Sequence, residues 1–135
     1  MSLKDAKVIP VLAADDLERA MAFYRDKLRL KAERSPSDPT GAVVELNPDS
    51  SFYLYESTYK RGETTVAAFA VEDTERVVDE LRGRGVVFEE YDFPGLKTER
   101  GIAVHDGLKT AWFKDSEGNT IAISEMTAQS ARKAA

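Results

Sequence analysis

A single histidine, His105, and the absence of cysteine set the outer limit of the chemistry open to this chain. Without cysteine there are no disulfides, thiolate zinc sites or cysteine nucleophiles. One histidine excludes a two- or three-histidine metal site within one chain. His105 is the only side chain whose ordinary pKa lies near neutrality, which makes it the natural candidate for a general base. It sits beside Asp106-Gly107, in what reads as a loop or strand end, where a lone histidine is usually solvated rather than catalytic. No spacing supports a Ser/His/Asp relay, and the eight glycines are too dispersed to cradle a phosphate. The richer set is aromatic. Tyr53, Tyr55 and the sole tryptophan, Trp112, could hold a planar or amphipathic molecule through large apolar area plus a polar handle.

These side chains need a scaffold, and 135 residues suit one domain, 1–135, whose core needs no covalent staple. With 42% hydrophobic and 32% charged residues the composition is that of a folded globular protein. The net charge of −5 and the scattering of basic residues beside acids, as in Glu18-Arg19 and Glu75-Arg76, argue against nucleic acid as a partner. The longest apolar runs, 8–14 and 66–71, fall far short of the roughly 20 residues of a membrane span. The opening MSLKDAK lacks the apolar stretch of a secretory signal, so the expected location is cytoplasmic.

An internal repeat organises the chain. VLAADDLERAMAFYRDKLRLKAE from Val11 and AFAVEDTERVVDELRGRGVVFEE from Ala68 stand 57 residues apart and share six identities in 23 pairs, among them Asp16/Asp73, Glu18/Glu75, Arg19/Arg76 and Arg25/Arg82. Each copy starts with an apolar strand, 8–13 or 66–71, and runs into an acidic pair that caps a helix and favours its dipole. Leu17, Ala20, Met21, Tyr24 and Leu28 give the first helix its apolar stripe; Thr74, Val77, Val78 and Leu81 give the second, which ends near Gly83 and Gly85. Extended stretches follow at 29–34 and 86–91. Each copy closes in a hairpin, turning at Asn47-Pro48-Asp49-Ser50 and at Ser116-Glu117-Gly118-Asn119. The hairpins are offset by 69, so the second copy carries about twelve extra residues, which fit the stretch 92–105 and could form a lid. The fold class is α+β: two tandem β-α-β-β-β modules, 6–57 and 64–125, with a small polar tail over 126–135.

Strand alternation divides the side chains. Val43, Glu45, Tyr53, Tyr55, Val66, Ala68, Ala122 and Ser124, with Trp112, fall on one face. Val44, Phe52, Leu54, Phe69, Phe113, Ile121 and Ile123 fall on the other, where they pack under the helices.

The strand followed by Asp16-Leu17-Glu18-Arg19 and Phe23-Tyr24, and the closing AWFKDSEGNTIAI, resemble the vicinal oxygen chelate superfamily of glyoxalase I, extradiol dioxygenases, fosfomycin-resistance enzymes and bleomycin-binding proteins. The closing segment is similar to that family's F-x-D-P-x-G-N signature, with Ser116 where proline is usual. The resemblance covers about 6–125 and implies that the modules form a curled, cup-like mixed sheet with helices on the outer face. It also implies, in metal-dependent members, one ligand in the first and one in the last strand of each module. Those positions are Ile9, Tyr53, Val66 and Ala122, and none is histidine or glutamate. A divalent ion needs three or more converging nitrogen or oxygen donors, so no metal and no cofactor is expected. A rebuilt site would have to draw on Glu45, Glu56, Glu125 or His105, and alternation turns Glu56 and Glu125 to the other face.

The function implied is a metal-free small-molecule-binding protein similar to the bleomycin-resistance branch, a homodimer that sequesters an aromatic or amphipathic compound. Tyr53, Tyr55 and Trp112 would stack on the ligand, Glu45 would pair a cationic group, and Val43, Ser124 and His105 complete the candidate set. The alternative is a metal-dependent lyase, isomerase or oxidoreductase of the glyoxalase or dioxygenase type with a non-standard site.

Overall fold

A computed structural model describes residues 4, 8–58, 62 and 64–125. The chain divides into two compact units, Met1–Lys60 and Arg61–Ala135. The first contains β1 (Val11–Ala14), α1 (Leu17–Asp26), β2 (Lys31–Arg34), β3 (Gly41–Asn47) and β4 (Ser50–Glu56). Its strand order is β1-β4-β3-β2, with β1 parallel to β4 and the other pairs antiparallel. The parallel pair is possible because α1 carries the chain back across the sheet. Asp16 caps that helix by accepting a hydrogen bond from the Arg19 N–H at 3.0 Å. Leu17, Ala20, Met21 and Tyr24 form its buried stripe, packed on Leu12, Ala32, Val44, Phe52 and Leu54. Tyr24 meets Phe52 edge-on with ring centroids 5.1 Å apart. The strands are shorter than expected at both ends of the helix. Ile9 and Pro10 precede β1, and Arg29 turns the chain with φ +59° before β2.

The second unit contains β5 (Thr65–Ala70), α2 (Thr74–Gly83), β6 (Asp92–Phe93), β7 (Leu96–Lys97), β8 (Ile102–His105), β9 (Leu108–Lys114) and β10 (Thr120–Ser124). Its sheet, β5-β10-β9-β8, repeats the order of the first, and β6 and β7 form a separate small hairpin. Both units are mixed α+β. The repeat is visible in the register. Val11 stands opposite Tyr53 in one unit and Ala68 opposite Ala122 in the other; Val43 faces Tyr53 as Trp112 faces Ala122. These pairs are related by the offsets of 57 and 69. Asp73 caps α2 on the Arg76 N–H. Glu125 adds a second acceptor there, taking the Thr74 N–H at 2.9 Å. Gly85, with φ +90°, closes the helix as the left-handed residue. Val78, Leu81, Phe88, Phe113, Ile121 and Ile123 are buried between helix and sheet.

One expectation changes. The stretch 86–91 does not form a full strand: Phe88 makes a single bridge to Phe113, and the Glu89 N–H donates to the Trp112 carbonyl at 2.8 Å. The rest of that edge of β9 is paired by β8, where Ala103 faces Thr110. The extra residues are therefore structured. Residues 92–97 form the hairpin and 102–105 the edge strand, because the far half of β9 would otherwise leave its backbone groups unpaired.

The signature turn is held by Asp115, which is buried at 5% exposure. Its Oδ1 accepts the Glu117 and Asn119 N–H groups, both at 2.9 Å, and its Oδ2 accepts the Asn119 side-chain amide. Gly118 supplies φ +87°. Asp115→Ala strands three buried donors and is expected to cost about 2–4 kcal/mol, read as a shifted urea midpoint with an unchanged slope.

Candidate functional site

In the first unit the face of the sheet away from α1 carries Val43, Glu45, Tyr53 and Tyr55 together. Tyr53 lies in mid-sheet, between Val11 and Val43 in register. Its ring crosses Gly41 so closely that a Cβ there would stand 1.9 Å from the phenol oxygen. Its hydroxyl donates to Asp38 Oδ2 at 2.9 Å, while Asp38 Oδ1 accepts the Thr40 N–H at 2.9 Å and the Thr40 hydroxyl at 2.6 Å. The Thr40 hydroxyl, then the Thr40 N–H and the Tyr53 hydroxyl, hold Asp38 below the usual carboxylate value. A hydrogen bond with Ser35 lowers the Tyr53 phenol, but the Asp38 carboxylate and desolvation outweigh it and the net displacement is upward. Glu45 lies at the far end of the face, opposite Ser51 and 3.9 Å from Lys31. Tyr55 and Val43 are 37% and 39% exposed.

In the second unit Trp112 and Ser124 share the face away from α2, with Ser124 Oγ 3.1 Å from Thr110 Oγ1. Val66 is half-exposed. Ala122 is buried, in register between Trp112 and Ala68. His105 stands apart from the other candidates. It ends β8 with its side chain 92% exposed, and its Nε2 lies 3.4 Å from Asp106 Oδ2 in a surface turn.

The donor chemistry does not fit a divalent ion. Of the four family-mapped positions, Ile9, Val66 and Ala122 are hydrocarbon, and the Tyr53 hydroxyl is committed to Asp38. The three glutamates considered as replacements serve other ends: Glu45 reaches toward Lys31, Glu56 is exposed at a strand end, and Glu125 caps α2. Among the described residues no three His, Asp or Glu side chains converge.

The second unit also holds a cavity of about 490 Å³ against Trp112. Tyr91 packs edge-on against Trp112 at 5.4 Å between centroids and meets Phe93 at 5.6 Å. Leu96, opposite Phe93 across the small hairpin, completes the apolar wall. Glu89 and Lys114, 4.0 Å apart, line it as a charged pair. Thr120 lines it too; it is 2% exposed and its Oγ1 has no hydrogen-bond partner. The sequence reading found Trp112 alone of this group. Signals short of strand periodicity exist for three of the others: Lys114 shares the parity of Trp112 along β9, and Pro94-Gly95 between Phe93 and Leu96 is a tight-turn pair that sets those two side chains opposite each other. A second, charged hollow of about 610 Å³ lies between α2 and β8, and there Lys109 is paired to Glu75 at 3.2 Å.

Among the described residues, two units of one α-helix on a mixed four-stranded sheet, repeated in register, with the second closing on the signature turn at Asp115, define a duplicated βαβββ-type protein of the vicinal oxygen chelate class. The family model of the Glyoxalase/Bleomycin resistance protein/Dioxygenase superfamily matches residues 8–123, and the chain belongs to that superfamily. Its fold is similar to that of a bleomycin resistance determinant encoded on the transposon Tn5, at TM-score 0.67, 13% identity, and coverage of 89% of this chain and 97% of that one. It is similar also to the fosfomycin resistance protein FosX from Mesorhizobium loti, at TM-score 0.61, 11% identity, and coverage of 97% and 98%. A third likeness is to the oxidase ChaP-H2, at TM-score 0.62, 25% identity, and coverage of 89% and 93%. No curated protein matches the chain.

Two outcomes follow from this geometry. The lowered Asp38 pKa means that the unfolded chain binds its proton more tightly than the folded one. The stabilisation it brings is present above the ordinary value of 3.8 and is lost as pH falls through the lowered folded value. The difference in Tm between Asp38→Asn and the parent is therefore expected to narrow below about pH 4 in a melting series. Thr120→Val replaces an unpartnered buried hydroxyl by a methyl of the same shape, and calorimetry should show a Tm unchanged or raised by up to about 3 °C.

Proposed function

We propose that this protein binds an aromatic or amphipathic small molecule without a metal, as a homodimer in the cytoplasm, and is not a nucleic-acid or membrane protein. The observation that carries this reading is the chemistry of the four mapped positions. Three hydrocarbon side chains and an occupied phenol stand where chelating members of the superfamily need donors, while tyrosine, tryptophan and phenylalanine line the faces away from the helices. Aromatic surfaces hold planar molecules by area and polar groups orient them, so stoichiometric binding needs nothing further. The name of the Tn5 relative, a bleomycin resistance determinant, fits such a role. Among the described residues no helix is long and apolar enough to cross a membrane. The dimer is supported by Val11, Val43 and Tyr55, which expose an apolar patch on one sheet face of the first unit.

The second reading, a metal-dependent enzyme with a non-standard site, is favoured by the likeness to the oxidase ChaP-H2. One measurement separates the two. Elemental analysis of the purified protein, followed by titration with Ni²⁺, Zn²⁺, Mn²⁺ and Fe²⁺, is expected to find no stoichiometric ion. One equivalent of tightly held metal would overturn the binding-protein reading.

A further inference from the structure

We propose that the charged hollow between α2 and β8 is a second binding site, on the helix side of the sheet. None of the candidate residues considered above is among those that line it. Its occupant class is a small zwitterion whose ammonium and carboxylate stand about 6 Å apart across an apolar body, as in an apolar dipeptide. Ile102 and Val104 stand opposite Ala111 and Lys109 in the β8–β9 ladder, on the face that α2 covers, and Val104 leaves 62% of its surface exposed. They form an apolar floor. Glu75, Asp79 and Arg82, at i, i+4 and i+7, give α2 one stripe about 10 Å long beside that floor. Two ties hold the walls. Glu75 pairs with Lys109 at 3.2 Å near the start of the helix, and at its end the Arg82 guanidinium donates to the Arg100 carbonyl at 2.6 Å. The hollow they bound, about 610 Å³, lies within the range of small-molecule sites.

Arg82 is the repeat counterpart of Arg25, and the two are used differently. Arg25 donates Nε and a terminal amino group to the Ala32 carbonyl, at 2.9 and 2.6 Å, which ties α1 to its edge strand. In the second unit the edge strand β8 lies further along β9, and among the described residues Arg82 Nε has no such acceptor. The Arg82 guanidinium is nevertheless fixed, 5.5 Å over the Phe88 ring. Gly101 leaves it room, since a Cβ there would stand 2.7 Å from its terminal nitrogen. Glu90 attracts it but accepts its own hydrogen bonds from the Thr98 hydroxyl and the Gly101 N–H. A fixed guanidinium with most of its five N–H donors uncommitted is a receptor for a carboxylate. Arg100, held at φ +53° in the turn that carries the accepting carbonyl, adds a second one. Asp79 is the anionic counterpart. It is exposed and has no ion-pair or hydrogen-bond partner among the described residues. It lies three residues before Arg82, and that spacing sets the two Cβ atoms about 5–6 Å apart, close to the span of an extended dipeptide. Lys97 and Glu99, one of each sign, leave the balance of charge unchanged.

The test uses the full chain and the backbone amide peaks of Gly101 and Val104 in a ¹H–¹⁵N spectrum. Valyl-valine is expected to move both saturably, while the Trp112 indole peak, from the other face of the sheet, stays still. N-acetyl-valyl-valine, without the ammonium, and valyl-valinamide, without the carboxylate, should each bind about fivefold more weakly. So should glycyl-glycine, which keeps both charges and lacks the apolar body. Asp79→Asn should abolish the preference over the acetylated form and keep that over the amide; Arg82→Gln should do the reverse. Asp79 is exposed, so its variant tests the site even where Arg82→Gln unfolds the turn at Arg100. No saturable movement up to about 10 mM valyl-valine would overturn the site. Equal binding of the free and acetylated dipeptides, or a folded Asp79→Asn protein that still prefers the free ammonium, would do the same. The metal content of the protein bears on the reading above and not on this hollow, because none of the four mapped positions lines it.

Discussion

Among the described residues each unit has four strands in its main sheet and one α-helix, and one helix can cover only one sheet face. Side chains alternate along a strand, so this constraint divides every strand into a covered and an uncovered set. In the first unit Leu12, Val44, Phe52 and Leu54 go under α1 and are at most 3% exposed, and the uncovered set is Val11, Val43, Tyr53 and Tyr55. In the second, Phe113, Ile121 and Ile123 go under α2, and Trp112 goes to the other side. A register slip of one residue would exchange the two sets, which is why the apolar residues specify the register so strongly. The aromatic face is the necessary counterpart of the core.

The two copies share this logic and diverge where it leaves them free. Both helices are capped by an aspartate three residues before an arginine N–H, Asp16 with Arg19 and Asp73 with Arg76. Glu56 and Glu125 are equivalent by the offset of 69, yet only Glu125 reaches the start of its helix; Leu17 occupies the position that in the second unit is Thr74, a buried residue hydrogen-bonded to the Lys109 carbonyl. At the edge, β2 runs beside β3 as one strand, whereas in the second unit that edge is divided between Phe88 and β8. The division makes room for the β6–β7 hairpin and so for the cavity against Trp112.

Much of the fold was legible because it rests on local, periodic signals: the 57-residue repeat, the acidic caps, the two hairpin turns and the period-two strands. The sorting into faces follows from the same alternation and holds for Val44, Phe52, Leu54, Phe113, Ile121 and Ile123. The site was less legible, for reasons of distance along the chain. Asp38 lies in a loop fifteen residues before Tyr53, and nothing in the composition of that loop announces that it holds the phenol. Tyr91 and Phe93 precede a turn whose partner strand is two residues long, too short for a periodic signal. Thr120 reads as an ordinary strand residue, and its missing partner is a property of packing alone. His105 shows the converse: chemistry suggested by residue type, undone by exposure at a strand end.

The Tyr53 position shows what such a scaffold can do once donors are gone. A carboxylate there could reach out to a metal, but a phenol is long and rigid and must lie along the sheet. It does so only because residue 41 is glycine, whose missing Cβ leaves the space the ring fills. Asp38 then takes the hydroxyl, and Thr40 fixes Asp38 through its N–H and its hydroxyl. Gly41, Asp38 and Thr40 are thus one unit with Tyr53, and returning a chelating side chain to position 53 would leave that acid without its phenol donor and a void above Gly41. Restoring metal chemistry would therefore require changes in the loop as well as at the four mapped positions. The second unit has no such lock: Ala122 is small, Trp112 stands beside it in register, and the space over that face is shaped by Tyr91 and Phe93. Small side chains beneath and aromatic ones at the side leave a slot rather than a plug. On physical grounds, it is the second copy of the repeat that leaves open space beside its uncovered face.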